Sequence, residues 1–412
     1  NSNETNQMKQ TIYLFLIILI SSCTTKHENL SSQFEILDLP SVSSINSVSP
    51  SLSTYSTNEV MMSWIEPTMN GHRLLFTELE NNHWTKPKEI SSGSNWFVNW
   101  ADFPSIIKLD KNTYAAHWLE RREAGGYAYD TYISMSHDEG KTWNKKIITH
   151  DDGTDTEHGF VSLFNDNNQL GFVYLDGRKM LSNDLSDSYE SGMTLRYGRI
   201  SKDGILTKQL ELDKLVCECC QTDVATTDKG VLAVYRNRSE DETRDIYITH
   251  SDNQQWSKGR PINQDGWQIS GCPVNGPKIV TNNNEVMVAW FTVANEEPVI
   301  RFTKSEDYGK SFGSPVDIAS GGNVLGHVDT AIDDNGTTWI IWQKKTQNSI
   351  ELILSNVLNN NELGIQRIIY EGNDMPRFSN PQIAYSSKQL VIAWTKNSDD
   401  TTSVSTVRIP II

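Results

Sequence analysis

The stretch Ser136-His137-Asp138-Glu139-Gly140-Lys141-Thr142-Trp143 decides the fold. Ser136 and Asp138 are short polar side chains that can bond the backbone of their own turn. Gly140 offers the positive φ of a tight turn, and Trp143 is an apolar anchor that opens the next strand. Strand-like runs flank it, Tyr132-Ile133-Ser134-Met135 before and Ile147-Ile148-Thr149 after. The stretch therefore reads as a hairpin turn, not a ligand site. It recurs as Ser305-Glu306-Asp307-Tyr308-Gly309-Lys310-Ser311-Phe312. Worn copies stand at Ser251-Asp252-Asn253 with Trp256 and at Glu80-Asn81-Asn82 with Trp84.

A strand type repeats around these turns. Short apolar runs ending in or beside an aromatic close at Trp64, Trp118, Leu175, Tyr235, Trp290, Trp342 and Trp394, between 52 and 60 residues apart. A unit of that length holds about four strands, the size of a propeller blade. The expectation is an all-β protein, a β-propeller of seven blades of about four strands, or six if one copy is misread. Strands opened by proline, such as those after Pro104, Pro277 and Pro381, would be innermost and the aromatic strand second. The last unit runs out after the strand Ser403 to Ile409. Pairing it with Phe34-Glu35-Ile36-Leu37 would close the ring and hide two edges. Residues 33–412 then form the propeller.

Composition agrees. The 412 residues are 37% hydrophobic and 21% charged, with 12 Trp, 25 Gly and 13 Pro, which suits a turn-rich β protein with a large core. A net charge of −16 argues against nucleic acid and against an anionic lipid surface as partners. Met8-Lys9, the apolar run Thr11 to Ile20 and Ser21-Ser22-Cys23 read as a signal peptide over residues 1–23. Ile20-Ser21-Ser22-Cys23 resembles a bacterial lipobox, which implies a lipid on Cys23. Residues 24–32 would be a tether. Thr24 in place of aspartate points to an outer-membrane lipoprotein, periplasmic or surface-facing, whose one membrane contact is the Cys23 lipid.

The turn Ser136–Trp143 resembles the Asp box (BNR repeat) of sialidase-like β-propellers, where it sits on the face away from the active site. Function is then expected on the opposite face, in the inter-blade loops and the loops from strand two to strand three. Candidate catalytic groups there are Asp130, Glu157, His158 and Asp176. Candidate ligand-binding groups are Trp100, Arg178, Arg236, Arg238, Arg244 and Arg377, arginine being suited to a bidentate grip on a carboxylate. The bland alternative is that acids and arginines pair across blades. Sialidases carry Phe-Arg-Ile-Pro in the first blade. This chain has Asp102-Phe103-Pro104-Ser105, without the arginine, and its sequence assigns no Tyr/Glu nucleophile pair. The chain also resembles a group of bacterial sialidase-like lipoproteins through Glu157–Leu163, Cys217–Thr222 and Gly271–Pro277.

Besides Cys23 there are four cysteines, Cys217, Cys219, Cys220 and Cys272. In an exported protein an even number points to disulfides, and four allow three pairings. A thiolate metal site, with His158 or His327, is the alternative; otherwise no cofactor is expected. Three functions fit: a sialidase-like glycoside hydrolase acting on an acidic glycan or other small anionic ligand, a non-catalytic glycan- or protein-binding propeller, and a metal-handling or thiol-dependent protein. A monomer is expected.

Overall fold

The computed structural model describes residues 34–55, 59–180, 192–252, 255–398 and 400–411. The expected signal peptide, Cys23 and tether lie outside these residues. Seven antiparallel sheets follow one another along the chain, and the described residues hold a single helical turn, Ala294–Glu296. None of the described helices is long and apolar enough to cross a membrane.

Each sheet is a blade. The repeating aromatic strand is the second strand in all seven, for example Glu59–Thr68, Tyr114–Arg121, Gln169–Asp176 and Gly230–Arg236. Its burial explains why it is legible. The run is covered on both sides, so it reads as continuous apolar sequence rather than alternation. Trp64, Trp118, Trp290 and Trp342 are fully buried. Seven apolar clusters fill the seven gaps between neighbouring blades. Stability is thus spread around the ring.

The ring closes as expected, with a small shift. Leu37–Leu39, not Phe34–Leu37, pairs with Thr401–Pro410, Leu37 facing Arg408 and Leu39 facing Thr406. Phe34 instead packs against Trp339.

The turn Ser136–Trp143 joins the third strand of its blade, Tyr129–Ser136, to the fourth, Ile147–Ile148. Ser136 Oγ donates to Asp138 Oδ1 (2.8 Å) and accepts from the Gly140 amide (2.9 Å). Asp138 accepts from the Thr142 amide (2.8 Å) and hydroxyl (2.7 Å). Ser305, Asp307, Gly309 and Ser311 repeat these four bonds, at 2.7, 2.9, 2.8 and 2.6 Å. Both turns lie on one face and put the inter-blade loops on the other.

First strands of all seven blades line an axial channel of about 590 Å³, with Lys278 paired to Asp329 in its wall. On the loop face this channel is covered by the segment 99–103. Asn380 Nδ2 donates to Trp100 O (2.8 Å), Gln221 Nε2 donates to Ala101 O (2.7 Å), and the Trp100 ring meets His327 edge-on. Asn380 and Gln221 come from two other inter-blade connections and His327 from the first strand Val324–Ile332 of a third blade, so the segment spans the axis.

Candidate functional site

The three motifs Glu157–Leu163, Cys217–Thr222 and Gly271–Pro277 meet beside this segment. Gly159 shows why a glycine is needed: a Cβ there would stand 1.9 Å from Asp102 Oδ2 and 2.7 Å from the Tyr129 hydroxyl. The Phe160 amide, in a left-handed backbone (φ 53°), donates to Asp102 Oδ1 (2.9 Å). Thr222 Oγ1 donates to Phe160 O, and the Gly276 amide donates to Gln221 Oε1.

Tyr129 stands at the centre of this knot, fully buried. Its hydroxyl lies 2.7 Å from both Asp102 Oδ2 and Glu157 Oε1. A phenol has one proton to donate, so one of the two contacts requires a protonated carboxyl. Burial pushes Asp102 up to about 7, against hydrogen bonds from Tyr129 and the Phe160 amide. Burial pushes Glu157 up to about 8; the Tyr129 bond opposes this, and the charges of Asp102 and Glu218 add to it. Asp102 and Tyr129 are sealed in, whereas Glu157 is half-buried and reaches the loop face.

A second network holds the other expected acids. The rings of His150 and His158 stack in parallel at 3.6 Å. His150 Nε2 lies 2.9 Å from Asp130, and both rings lie 3.2 Å from Asp152 Oδ2. Arg122 Nε donates to Asp130 (2.6 Å), and Arg178 grips Asp176 with two 2.8 Å bonds while reaching Asp152. Burial raises Asp152, but Thr154 and the charges of His158 and His150 hold it well below the usual carboxylate range. Burial, then the charge of His150, lower His158. Asp130, His150 and His158, and likewise Asp152, His158 and Asp176, are close enough to share a metal ion. Arg122 and Arg178 pair with the acids, His158 Nδ1 lies 3.3 Å from the Tyr129 carbonyl, and His150 Nδ1 is buried without a hydrogen-bond partner among the described residues.

The expected arginines separate. Arg236 is buried and gives its protons to backbone carbonyls, those of Asn275 (3.1 and 2.9 Å), Arg244 (2.7 Å) and Phe291 (2.7 Å), while lying over Trp267. The expectation that it grips a ligand is corrected. At the end of a buried strand the guanidinium is enclosed by neighbouring chain before a ligand can reach it. Arg238 and Arg244 hold Glu218 and Glu242 between them. Arg377 is exposed and lies over Phe378. Trp100 and Phe378, 5.2 Å apart, border a cavity of about 210 Å³ with Pro376, Asn380 and Asn397. This apolar cleft with a few amides is separate from the Arg178 network, and Arg377 stands next to its wall residues Pro376 and Phe378.

The cysteines resolve as one disulfide, Cys219–Cys272, with Cys217 and Cys220 as buried thiols. The expectation of disulfides holds for Cys219 and Cys272, which join adjacent loops, and is corrected for Cys217 and Cys220. Cys217 and Cys220 are also spaced Cys-x-x-Cys.

Sequence reasoning missed Tyr129, His150, Asp152 and Glu218 as site residues and left Asp102 among the unassigned loop acids. The one usable signal was Glu-His-Gly, whose glycine marks a close approach.

No family model and no curated protein matches the sequence. Among solved structures the chain is similar to the polysaccharide lyase Uly1, at 9% identity and a TM-score of 0.52, covering 88% of this chain and 89% of that one. It is similar to a puromycin-hydrolyzing peptidase of Mycobacterium tuberculosis, at 12% identity and a TM-score of 0.50, covering 88% of this chain and 51% of that one. A Trypanosoma rangeli sialidase in complex with the inhibitor DANA aligns at 13% identity and a TM-score of 0.46, over 80% of this chain. The chain spans 56% of that sialidase's length. A lyase and a peptidase on one architecture show that the propeller is shared and that its chemistry must be argued from side chains.

Proposed function

We propose that this protein cleaves an acidic glycan on its loop face, with Glu157 as general acid. The observation that carries the reading is the Tyr129 hydroxyl held between Asp102 and Glu157. With its carboxyl raised to about 8, Glu157 is protonated at neutral pH and can deliver that proton to a glycosidic oxygen. Glu218, paired with Arg238 and Arg244, is a second carboxyl group whose charge is felt at Glu157. A protonated carboxyl with a second carboxyl group nearby is the pairing that glycoside cleavage uses. Trp100 and Phe378 would stack on sugar faces, and Arg377 would meet the acidic substituent.

The test is turnover of a panel of sialosides and uronic-acid glycans by the purified protein. Glu157→Gln should lower the rate at least 100-fold while leaving affinity within about threefold. An unchanged rate would refute the role of Glu157. Binding without turnover of any substrate would favour a second reading, a non-catalytic glycan-binding propeller, for which the Trp100–Phe378 cleft is the supporting observation. Anchoring through a lipid on Cys23, with the propeller at the outer membrane, belongs to the same proposal. It predicts incorporation of labelled palmitate that Cys23→Ala abolishes.

A further inference from the structure

We propose that Cys217, Cys219, Cys220 and Cys272 form a thiol–disulfide relay, in which the buried Cys217/Cys220 pair passes two electrons through the surface disulfide Cys219–Cys272 to an external disulfide. The proposal is independent of the glycan reading.

Geometry carries it. Cys217 and Cys220 lie with Sγ atoms 3.1 Å apart in a hydrogen bond, and both are sealed from solvent. The Sγ atoms of Cys217, Cys219 and Cys220 all lie within 4.8 Å of one another, and Cys217 and Cys272 are within the same distance. Cys217 therefore stands within reach of both sulfurs of the bridge. Cys272 is exposed and Cys219 half-buried, so the bridge faces solvent while the dithiol does not. Arg244 Nη1 donates to Cys217 Sγ (3.3 Å). Burial raises the Cys217 thiol, but the Cys220 bond, the Cys219 backbone and the charges of Arg236 and Arg244 bring it down to about 6. The thiolate is the attacking form, so Cys217 is the nucleophile and Cys220, raised by its burial, holds the proton. This also gives the buried Arg236 and Arg244 a use beyond packing.

The steps balance. The Cys217 thiolate attacks Cys219 Sγ; the Cys219–Cys272 bond breaks and Cys272 leaves as thiolate. Cys220 then attacks Cys217 Sγ and its proton passes to Cys272. The Cys217–Cys219 bond breaks and Cys219 leaves as thiolate. One disulfide has moved from the surface pair to the buried pair, with no net oxidation. Cys272 hands its proton to the Cys219 thiolate and attacks an external disulfide, whose S–S bond breaks to release one thiolate. Cys219 then passes the proton to that thiolate and attacks Cys272 Sγ, breaking the mixed disulfide and releasing the second. The surface bridge re-forms and the external disulfide becomes two thiols. The protein ends with two disulfides and has given up two electrons.

The experiment counts thiols by alkylation while the purified protein is exposed to oxidised glutathione. Two thiols should fall to zero, and the trapped intermediate should carry glutathione on Cys272. The double variant Cys219→Ser/Cys272→Ser keeps the buried dithiol but lacks the surface pair, and should oxidise at least tenfold more slowly. Equal rates in the two proteins would overturn the relay, as would two thiols persisting in the wild type. Should the double variant fail to fold, acid-trapping of the wild type decides alone. Glutathione first on Cys272 or Cys219 supports the relay, and glutathione first on Cys217 or Cys220 refutes it.

Discussion

Replacing Asp102 by asparagine should stabilise the protein more in alkaline solution than in acid. Asp102 is fully enclosed, and burial moves its carboxyl from an ordinary 3.8 to about 7. The sign follows from which state holds the proton. Below 3.8 both the folded and unfolded chains are protonated and no penalty exists. As pH rises, the unfolded chain ionises first, so folding stability falls until the folded carboxyl ionises near 7. At about 1.4 kcal/mol per tenfold, the full penalty is on the order of 4 kcal/mol. Glu157 shares the Tyr129 bridge, so the two acids do not add, and about 2–4 kcal/mol is the expected range. Asparagine is neutral throughout. Its carbonyl can keep the Phe160 amide bond, its amide can donate to Tyr129, and Tyr129 then donates to Glu157 without conflict. Urea unfolding of both proteins at pH 5 and pH 8.5 is the assay. By pH 5 the unfolded carboxyl has already ionised, so the variant should exceed the wild type by about 1–2 kcal/mol there and by about 2–4 kcal/mol at pH 8.5, the gap widening as pH rises. A difference that stays constant within about 0.5 kcal/mol between the two pH values would refute the shared-proton cluster.

Further substitutions probe the scaffold around that cluster. Gly159→Ala drives a Cβ into Asp102 and Tyr129, and should cost about 1–3 kcal/mol in chemical denaturation; a neutral effect would mean the knot is loose. Arg236→Met leaves three buried carbonyls without donors. It should cost at least about 3 kcal/mol while the folded fraction keeps its ligand affinity, read by titration of the surviving protein. Leu39→Ala, at the ring closure and 4% exposed, should cost about 2–5 kcal/mol. Ile36→Ala, 39% exposed just outside it, should stay within about 0.5 kcal/mol, and equal effects would show that the closing strand is not where the ring is held.

Which features were legible follows from how locally each is determined. The turns at Ser136 and Ser305 are made by side chains two to four residues from the groups they bond, so eight residues of sequence suffice. The second strands are buried on both faces, and burial leaves its record in every residue. The site is different in kind. Tyr129 reads as one more strand aromatic, because its hydroxyl partners are 27 and 28 residues away on two different loops. His150 and Asp152 look like an ordinary polar loop until His158 stacks on one and bonds the other. Arg236 was placed correctly and assigned wrongly, for the same reason. Sequence shows that an arginine follows Val231–Tyr235 at the end of a buried strand. It does not show that the carbonyls of Asn275 and Phe291, from the next blade, close over it. Charge alone therefore overpredicts binding residues in such a ring, since Arg122, Arg178, Arg236, Arg238 and Arg244 all have carboxylates or carbonyls within reach. The groups left to meet a ligand are those whose neighbours are apolar or already paired. Glu157 against a buried phenol, Arg377 against Phe378, and Cys272 at the exposed end of a bridge meet that condition, and they are where the chemistry of this face should be sought.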